Sequence, residues 1–196
     1  MAATTMSTTG HAKGVMHGSA HGKSRTAVEN PMKQIRITKI TLNIGSGKNE
    51  EHLKKGLKLL EKLSPIKPVK TITTKRIAGW GLRPGLAIGC KVTVRKNPEE
   101  LLRRLLAAKE NTLSTKNFDA QGSFSFGIPE YIDIEGLEYD PELKIMGLEA
   151  AVSLERPGYS IKRRKVRPAR VGKRHVISKD EAIAFVQGLG VKIQEE

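Results

Sequence analysis

Two features of this sequence could carry chemistry, and the first is a thiol accompanied by histidines. Cys90 is the only cysteine, and with His52 or His175 it could form a nucleophile and base pair. Cys90 stands within an apolar alternation typical of a strand, however, which favours a small core residue. The chain contains no HExxH or GxSxG motif. We therefore predict that the protein is not an enzyme, and an RNA-modifying catalyst using Cys90 or His175 is the competing hypothesis.

The second feature is a glycine-rich loop at residues 45–49, where a phosphate could bind. A P-loop would need glycine at position 42 and Ser or Thr at position 49, but the chain has Leu42 and Asn49. A dinucleotide-binding motif would need glycine at position 50, which is Glu50. Both nucleotide motifs therefore fail. Because the loop joins a predicted strand to a helix N-terminus, its amides could still contact an RNA phosphate. A plain tight turn is the alternative.

Histidines near the N-terminus raise the possibility of a metal site. His11, His17 and His21 lie within residues 1–28, but that stretch holds no cysteine and no carboxylate. We therefore predict no metal and no cofactor. The stretch is rich in Ala, Thr, Ser and Gly and has no aromatic residue. Because it cannot bury enough apolar surface to order itself, we expect a flexible extension, with residues 29–196 forming a single domain.

Charge is the most informative property of the sequence. The chain has 35 Lys+Arg and 20 Asp+Glu, a formal charge of +15, so it attracts polyanions. Aromatic residues make up only 4%, which favours recognition of backbone phosphates over base stacking. One segment combines nine basic residues with no acid: Arg156, Lys162, Arg163, Arg164, Lys165, Arg167, Arg170, Lys173 and Arg174. We predict that it contacts nucleic acid; a solvated basic loop and a DNA-binding chromatin protein are the alternatives.

A second stretch of the chain has the opposite charge. Residues 117–143 contain seven carboxylates and no Lys or Arg. Nucleic acid should repel this stretch, so we expect it to face solvent or a basic protein neighbour. No apolar run approaches the roughly 20 residues of a membrane span, and the N-terminus has no apolar stretch of signal-peptide length. We therefore expect a soluble cytoplasmic protein with no membrane partner.

Apolar alternation predicts the strands that must position these groups. The first strand runs from Ile35 to Ile44, and its phase slips near Thr38-Lys39, which indicates a bulge. Further extended segments are predicted at 69–76, 86–95, 122–127 and 146–154. Residues 69–76 and 86–95 should form a long antiparallel hairpin. Its Gly-rich loop would expose Trp80 and Arg83, which could pack on a nucleotide, unless Trp80 folds back over the core.

Helical spacing and capping residues predict three helices. Leucines recur at helical spacing across about 50–63, Asn97-Pro98 should cap and begin a second helix, and Ser178 with Glu181 forms a capping box for a third. The element order is therefore β-α-β-β-α-β-β-α. We predict an α+β fold in which helices pack on one face of a mostly antiparallel sheet and the other face is available for binding.

Seven segments in this order resemble the large-ribosomal-subunit protein L five family, the universal 5S rRNA binders. They lie at 36–45 (RITKITLNIG), 67–69 (KPV), 74–85 (TKRIAGWGLRPG), 88–95 (IGCKVTVR), 118–119 (FD), 122–128 (GSFSFGI) and 156–159 (RPGY). The similarity covers about residues 30–193, and the C-terminal part resembles the archaeal type. The resemblance implies an α+β ribosomal RNA-binding protein that helps seat 5S rRNA in the central protuberance, as a monomer within the ribosome.

The resemblance also implies particular contacts. Family members touch large-subunit rRNA, meet a small-subunit head protein in an intersubunit bridge, and extend the hairpin loop towards the P-site tRNA. By matching positions, Asn43 and Thr93 would hydrogen-bond 5S rRNA, and Lys75, Arg76, Gly79, Trp80 and Arg83 would lie near tRNA. We add Lys39, Lys48 and Lys70 to the predicted rRNA-binding residues, and we expect acidic residues 130–142 to face the small-subunit protein.

Overall fold

Five strands form one antiparallel sheet. The computed structural model describes residues 30–194. The strands of this sheet are β1 (Arg36–Gly45), β2 (Val69–Ile72), β3 (Ala87–Val94), β5 (Phe124–Ile128) and β6 (Leu148–Glu155), in the spatial order β2-β3-β1-β6-β5. Two short strands, β4 (Thr112–Ser114) and β7 (Lys192–Gln194), form a separate parallel pair. The predicted α+β class with a mostly antiparallel sheet is confirmed.

Helices connect the strands. The α-helices of the described residues are α1 (Glu50–Leu63), α2 (Pro98–Ala108), α3 (Ser160–Arg163) and α4 (Lys179–Gly188). Short 3-10 turns lie at Pro31–Lys33, Thr115–Asn117, Tyr131–Asp133 and Lys173–His175. The predicted order β-α-β-β-α-β-β-α is confirmed for the longer elements. The sequence did not reveal β4, α3 or β7, because elements of three or four residues are too short to show a period.

Alternation buries one face of the sheet against the helices. Ile40, Leu42 and Cys90 are completely buried, together with leucines of α1 and α2 and with Val186 of α4. Fully burying one such aliphatic side chain stabilises the fold by roughly 1.5–3 kcal/mol. Gly56 lets α1 approach the sheet closely, since a Cβ at this position would lie 2.9 Å from Cys90 Sγ. The prediction that Cys90 is a core residue is confirmed.

The bulge in β1 sets which of its residues face outwards. The pairing of β1 with β6 shifts between Ile37 and Lys39, where the sequence predicted the irregularity. Ile37 lies opposite Leu154, whose side chain is in the core, whereas Lys39 lies opposite Ser153 on the other face. The extra residue therefore turns Lys39 to the same side as Thr41 and Asn43.

Two local predictions need correction. Asn97 precedes α2 as expected, but it has a φ of 47° and its side chain makes no capping hydrogen bond, so Pro98 and the acidic first turn begin this helix instead. The strand predicted across 69–76 is shorter than expected: β2 ends at Ile72, and Thr73 continues the hairpin through backbone hydrogen bonds of 2.9 Å with Leu86 and Gly85. The Ser178–Glu181 capping box is confirmed, with both of its hydrogen bonds present.

The predicted N-terminal extension, with His11, His17 and His21, lies outside the described residues. Within residues 30–194, no group of three or more potential metal ligands occurs. None of the helices in that range has the length and apolar character needed to cross a membrane.

Candidate nucleic-acid interface

The sheet face opposite the helices is polar. We call it the open face and define it by the outward residues of the five strands: Lys39, Thr41, Asn43, Val69, Thr71, Lys91, Thr93, Ser125, Gly127, Glu149, Ala151 and Ser153. Each of these residues alternates with a core residue along its strand or lies opposite an outward residue in the register. All are half-buried or exposed. The open face is therefore a broad surface with small side chains towards β5 and β6.

The structure brings Asn43 and Thr93 together. Asn43 of β1 lies opposite Lys91 of β3, and Thr93 lies opposite Thr41, two residues along each strand. Asn43 and Thr93 are thus diagonal neighbours on adjacent strands of one face, a relation in which side chains stand about 7–8 Å apart at Cα. Lys39 lies further along β1 on the same face. Three predicted rRNA-binding residues therefore share this surface.

Glu149 is a polar neighbour of Asn43 that the sequence analysis missed. It lies opposite Asn43 on β6, and its Oε2 accepts a hydrogen bond from Asn43 Nδ2 at 3.3 Å. The alternation around it was visible, because Leu148 and Ala150 are apolar. Glu149 is an isolated carboxylate in a strand, so the pattern of basic residues does not indicate it. The open face therefore combines a cation, an amide, a hydroxyl and a carboxylate.

Two predicted lysines lie away from this group. Lys70 of β2 is opposite Cys90, so its side chain starts on the core-facing side of the sheet, at the exposed edge strand. Lys48 follows the glycine loop, and its side chain lies against Gly81 of the hairpin loop. The structure therefore places Lys48 with residues 76–85 and separates Lys70 from Asn43.

Residues 76–85 form a small, internally bonded hairpin tip. Ile77 and Leu82 exchange backbone hydrogen bonds of 3.1 and 3.0 Å, and the Leu82 side chain is buried. Gly81 has a φ of 59°, which closes the turn at low cost. Trp80 is 70% exposed, so it does not fold back over the core. Lys75, Arg76, Gly79 and Arg83 are also exposed, so the basic side chains of the tip are accessible beside Trp80.

The basic stretch is folded, and Arg156 has a structural role within it. Arg156 is only 8% exposed; its guanidinium donates to Glu181 Oε1 at 2.8 Å and to the Lys33 carbonyl at 3.0 Å. The pKa of Glu181 is lowered, first by the Ser178 backbone amide and then by Arg156. Arg156 therefore ties the start of the basic stretch to α4.

Other cations of the stretch divide into bonded and unbonded groups. Arg163 pairs with Glu155 at 2.7 Å, and Arg164 Nε donates to the Arg167 carbonyl at 2.7 Å. Within residues 30–194 no hydrogen bond or ion pair engages the exposed side chains of six residues: Lys162, Lys165, Arg167, Arg170, Lys173 and Arg174. A dense group of unpaired cations raises the local positive potential and attracts phosphate.

The candidate catalytic groups are not assembled. Burial raises the pKa of the Cys90 thiol to about 11, so it is protonated at neutral pH and sits in the core. His175 Nε2 lies 2.8 Å from the Pro157 carbonyl, and its ring packs on Tyr159 with centroids 5.8 Å apart. Both residues have structural roles, which removes the support for an RNA-modifying enzyme.

Part of the acidic stretch is neutralised by α1. Lys58 pairs with Glu142 at 2.8 Å, and Lys62 pairs with Asp140 at 2.6 Å. The hydrogen bond from Lys62 is the main cause of the lowered pKa of Asp140. Four other carboxylates of the stretch remain exposed, namely those of Asp119, Asp133, Glu135 and Glu138. The stretch therefore lies beside α1 and keeps an acidic outer surface.

Comparisons with known proteins identify the family. Residues 87–190 match the C-terminal region of the ribosomal L5 family, and residues 30–83 match ribosomal protein L5. The large ribosomal subunit protein uL5 of Nanoarchaeum equitans is 49% identical over 169 residues, which is 85% of this chain and 99% of the relative. The uL5 proteins of Sulfurisphaera tokodaii and Archaeoglobus fulgidus are 43% and 40% identical, over 88% and 85% of this chain and 99% and 93% of their own lengths. The chain belongs to the uL5 family of structural, non-enzymatic proteins of the large ribosomal subunit.

Proposed function

We propose that this chain binds 5S rRNA through the open face and helps to attach it in the central protuberance. The observation that carries the proposal is the diagonal placement of Asn43 and Thr93 on one polar surface. An amide and a hydroxyl can each donate and accept hydrogen bonds, so they can bond ribose hydroxyls, base edges and phosphates. Small neighbours such as Ala151 and Gly127 would let an RNA backbone approach closely.

Positive charge supplies the affinity in this proposal. Lys39 and Lys91 lie on the open face, and the unpaired cations Lys162 and Arg170 line a groove at one end of it. Each phosphate that a lysine or arginine neutralises releases counterions, so binding should weaken steeply as salt rises. These cations also provide contacts for large-subunit rRNA beyond 5S rRNA.

The hairpin tip is proposed to reach the P-site tRNA. Its exposed Trp80 and the cations Lys75, Arg76 and Arg83 can stack on a nucleotide and neutralise its phosphate. Lys48 packs against this tip, so we assign it to the same contact. The internal pairing of Ile77 with Leu82 would keep the tip in one shape on binding.

The acidic outer surface of residues 130–142 is proposed to meet a basic small-subunit head protein in an intersubunit bridge. Asp133, Glu135 and Glu138 are exposed, whereas the nearby Asp140 and Glu142 pair with lysines of α1. Like charges exclude rRNA from this side, and unlike charges favour a basic protein partner. The basic surface of the chain would thus face RNA, and the acidic surface of residues 130–142 would face protein.

A filter-binding titration with transcribed 5S rRNA tests the proposal. We expect tight binding that falls steeply with salt and that an excess of duplex DNA does not compete away. The Thr93→Val variant keeps the shape of the side chain and should weaken binding, whereas Thr112→Val on β4 should leave it unchanged. Equal affinity for duplex DNA and 5S rRNA would reject the scaffold proposal in favour of a general polyanion binder.

A further inference from the structure

A groove separates the open face from the basic stretch. On the sheet side it is lined by Lys39 and Ser153, which face one another across β1 and β6. On the other side lie Tyr159, Lys162 and Arg170. Its volume is about 690 Å³, within the range of roughly 300–1,000 Å³ that small-molecule pockets occupy. The groove has room for one small ligand, whereas a nucleic-acid duplex is far too wide to enter it.

The electrostatics of the groove favour an anion. Lys39, Lys162 and Arg170 line it, and none of their side chains makes a hydrogen bond or ion pair within residues 30–194. Glu155 is the acidic residue among its described lining residues, and its carboxylate is already bound to Arg163 at 2.7 Å. Three unpaired cations around a concave surface concentrate positive potential there.

The walls of the groove favour a flat ring with polar edges. The Tyr159 ring is held in place by His175, since its hydroxyl donates to the His175 carbonyl at 3.2 Å and the two rings pack together. Val171 adds an apolar wall, while Ser123 and Gln121 supply hydrogen-bond donors and acceptors. An aromatic wall beside polar side chains is how proteins hold unstacked bases.

Hydrogen bonds and ion pairs within the protein hold the walls of the groove in place. The Ala169 amide donates to the Ile161 carbonyl at 3.1 Å, which folds the basic stretch back on α3. The buried Arg156 fixes the start of the stretch, and Arg163 ties α3 to β6. A preformed pocket avoids the entropy cost of ordering a loop when a ligand binds.

We propose that this groove receives one unstacked nucleotide of the bound RNA. Its phosphate would lie among Lys39, Lys162 and Arg170, and its base would pack beside Tyr159. This inference rests on the proposed function and sharpens it: the open face binds the folded RNA, while the groove selects a single-stranded position within it.

Fluorescence anisotropy with 3′-labelled RNA trinucleotides at low salt tests the inference. Three variants are compared. Lys162→Ala removes a groove cation, and Lys165→Ala removes an equal charge from the same stretch but outside the groove. Ser153→Trp fills the groove with a large side chain. Lys162→Ala should weaken binding about tenfold or more, as for a lost charge-assisted hydrogen bond. Lys165→Ala should weaken it less than about fivefold, the effect of a screened surface charge.

Ser153→Trp should abolish trinucleotide binding, and circular dichroism would check that it folds. An unlabelled RNA duplex should fail to displace the trinucleotide. Equal losses in Lys162→Ala and Lys165→Ala would overturn the inference, and so would displacement by an oligo-aspartate peptide at the same concentration. Titration of 5S rRNA with the same wild-type protein separates the two claims. If 5S rRNA does not bind while the trinucleotide does, the proposed function is contradicted. If 5S rRNA binds while the trinucleotide does not, the groove inference is contradicted.

Discussion

Asn43 on β1 donates a hydrogen bond from Nδ2 to Oε2 of Glu149 on β6, at 3.3 Å, on the outward face of the sheet. A carboxylate only accepts hydrogen bonds, so Glu149 orients the amide with its nitrogen towards β6. Asn43 Oδ1 is thereby turned away from Glu149, and in the proposed contact it would accept a hydrogen bond from a ribose hydroxyl or a base amino group. Glu149 is thus a positioning residue for Asn43 as well as an acceptor in its own right.

This relationship predicts different effects for two substitutions of Asn43. Asn43→Ala should weaken 5S rRNA binding by about 1–3 kcal/mol through loss of a polar contact. Asn43→Asp should weaken it at least as much, because a second carboxylate opposite Glu149 repels both its neighbour and the RNA. Filter binding with 5S rRNA measures both variants. Ser125→Ala, on the same face near the sheet edge, serves as the control; unchanged affinity in both Asn43 variants would reject the proposed contact.

The close approach of α1 to the sheet predicts a compensating pair of substitutions. Gly56→Ala gains helix propensity of about 1 kcal/mol, but its Cβ would lie 2.9 Å from Cys90 Sγ and 3.3 Å from Ile44 Cγ2. Overpacking of this kind costs about 1–3 kcal/mol, so the variant should be less stable in urea unfolding. In the Cys90→Ala background the same change should be tolerated, because the sulfur is gone. Additive free energies in that double-mutant cycle would show that the contact does not limit the packing.

Two strand glycines predict opposite outcomes for one substitution. At Gly89 a Cβ would lie 2.6 Å from the Ile44 carbonyl oxygen, a backbone atom of β1, whereas at Gly127 nothing lies within 4 Å. Gly89→Ala should therefore force β1 and β3 apart and destabilise the protein by about 1–3 kcal/mol. Gly127→Ala should be neutral or stabilise it by up to about 1 kcal/mol, since glycine is unfavourable in a strand. Urea denaturation of both variants provides the comparison, and equal midpoints would contradict the assigned register.

The ion pair between Glu181 and Arg156 predicts a pH dependence. The pKa of Glu181 is lowered in the folded chain from its usual 4.5, by the Ser178 amide and then by Arg156. A lowered acid pKa contributes stability that is present above pH 4.5 and is lost as the pH falls through the lower folded value. Glu181→Gln should therefore destabilise the protein at pH 7, and its difference from wild type should shrink in strong acid.

Urea unfolding at pH 7 and in strong acid measures the difference in stability between Glu181→Gln and wild type. Asp180→Asn removes a carboxylate from the same helix turn that has no bond to Arg156, so it isolates the ion pair from the helix dipole. A Glu181→Gln deficit that stayed constant between neutral and acid pH would contradict the linkage.

Local patterns in the sequence determined the long elements. Alternation placed Ile40, Leu42 and Cys90 in the core, helical spacing bounded α1, and the phase slip located the bulge near Lys39. The Ser178–Glu181 capping box was also readable. These features depend on residues a few positions apart, because burial of one face imposes its period directly on the chain. The order of family motifs carried the ribosomal assignment in the same way.

Only the tertiary structure decided which side chains share a surface. Asn43 and Glu149 are 106 residues apart in the chain, and their meeting depends on the register of β1 with β6. Pairing also turned Lys70 to the side of Cys90, and packing buried Arg156 within a run of otherwise exposed cations. The charge of a residue alone cannot distinguish a cation that is available to phosphate from one that holds α4. The difference depends on whether a carboxylate lies close to the cation in the fold, as Glu181 does to Arg156.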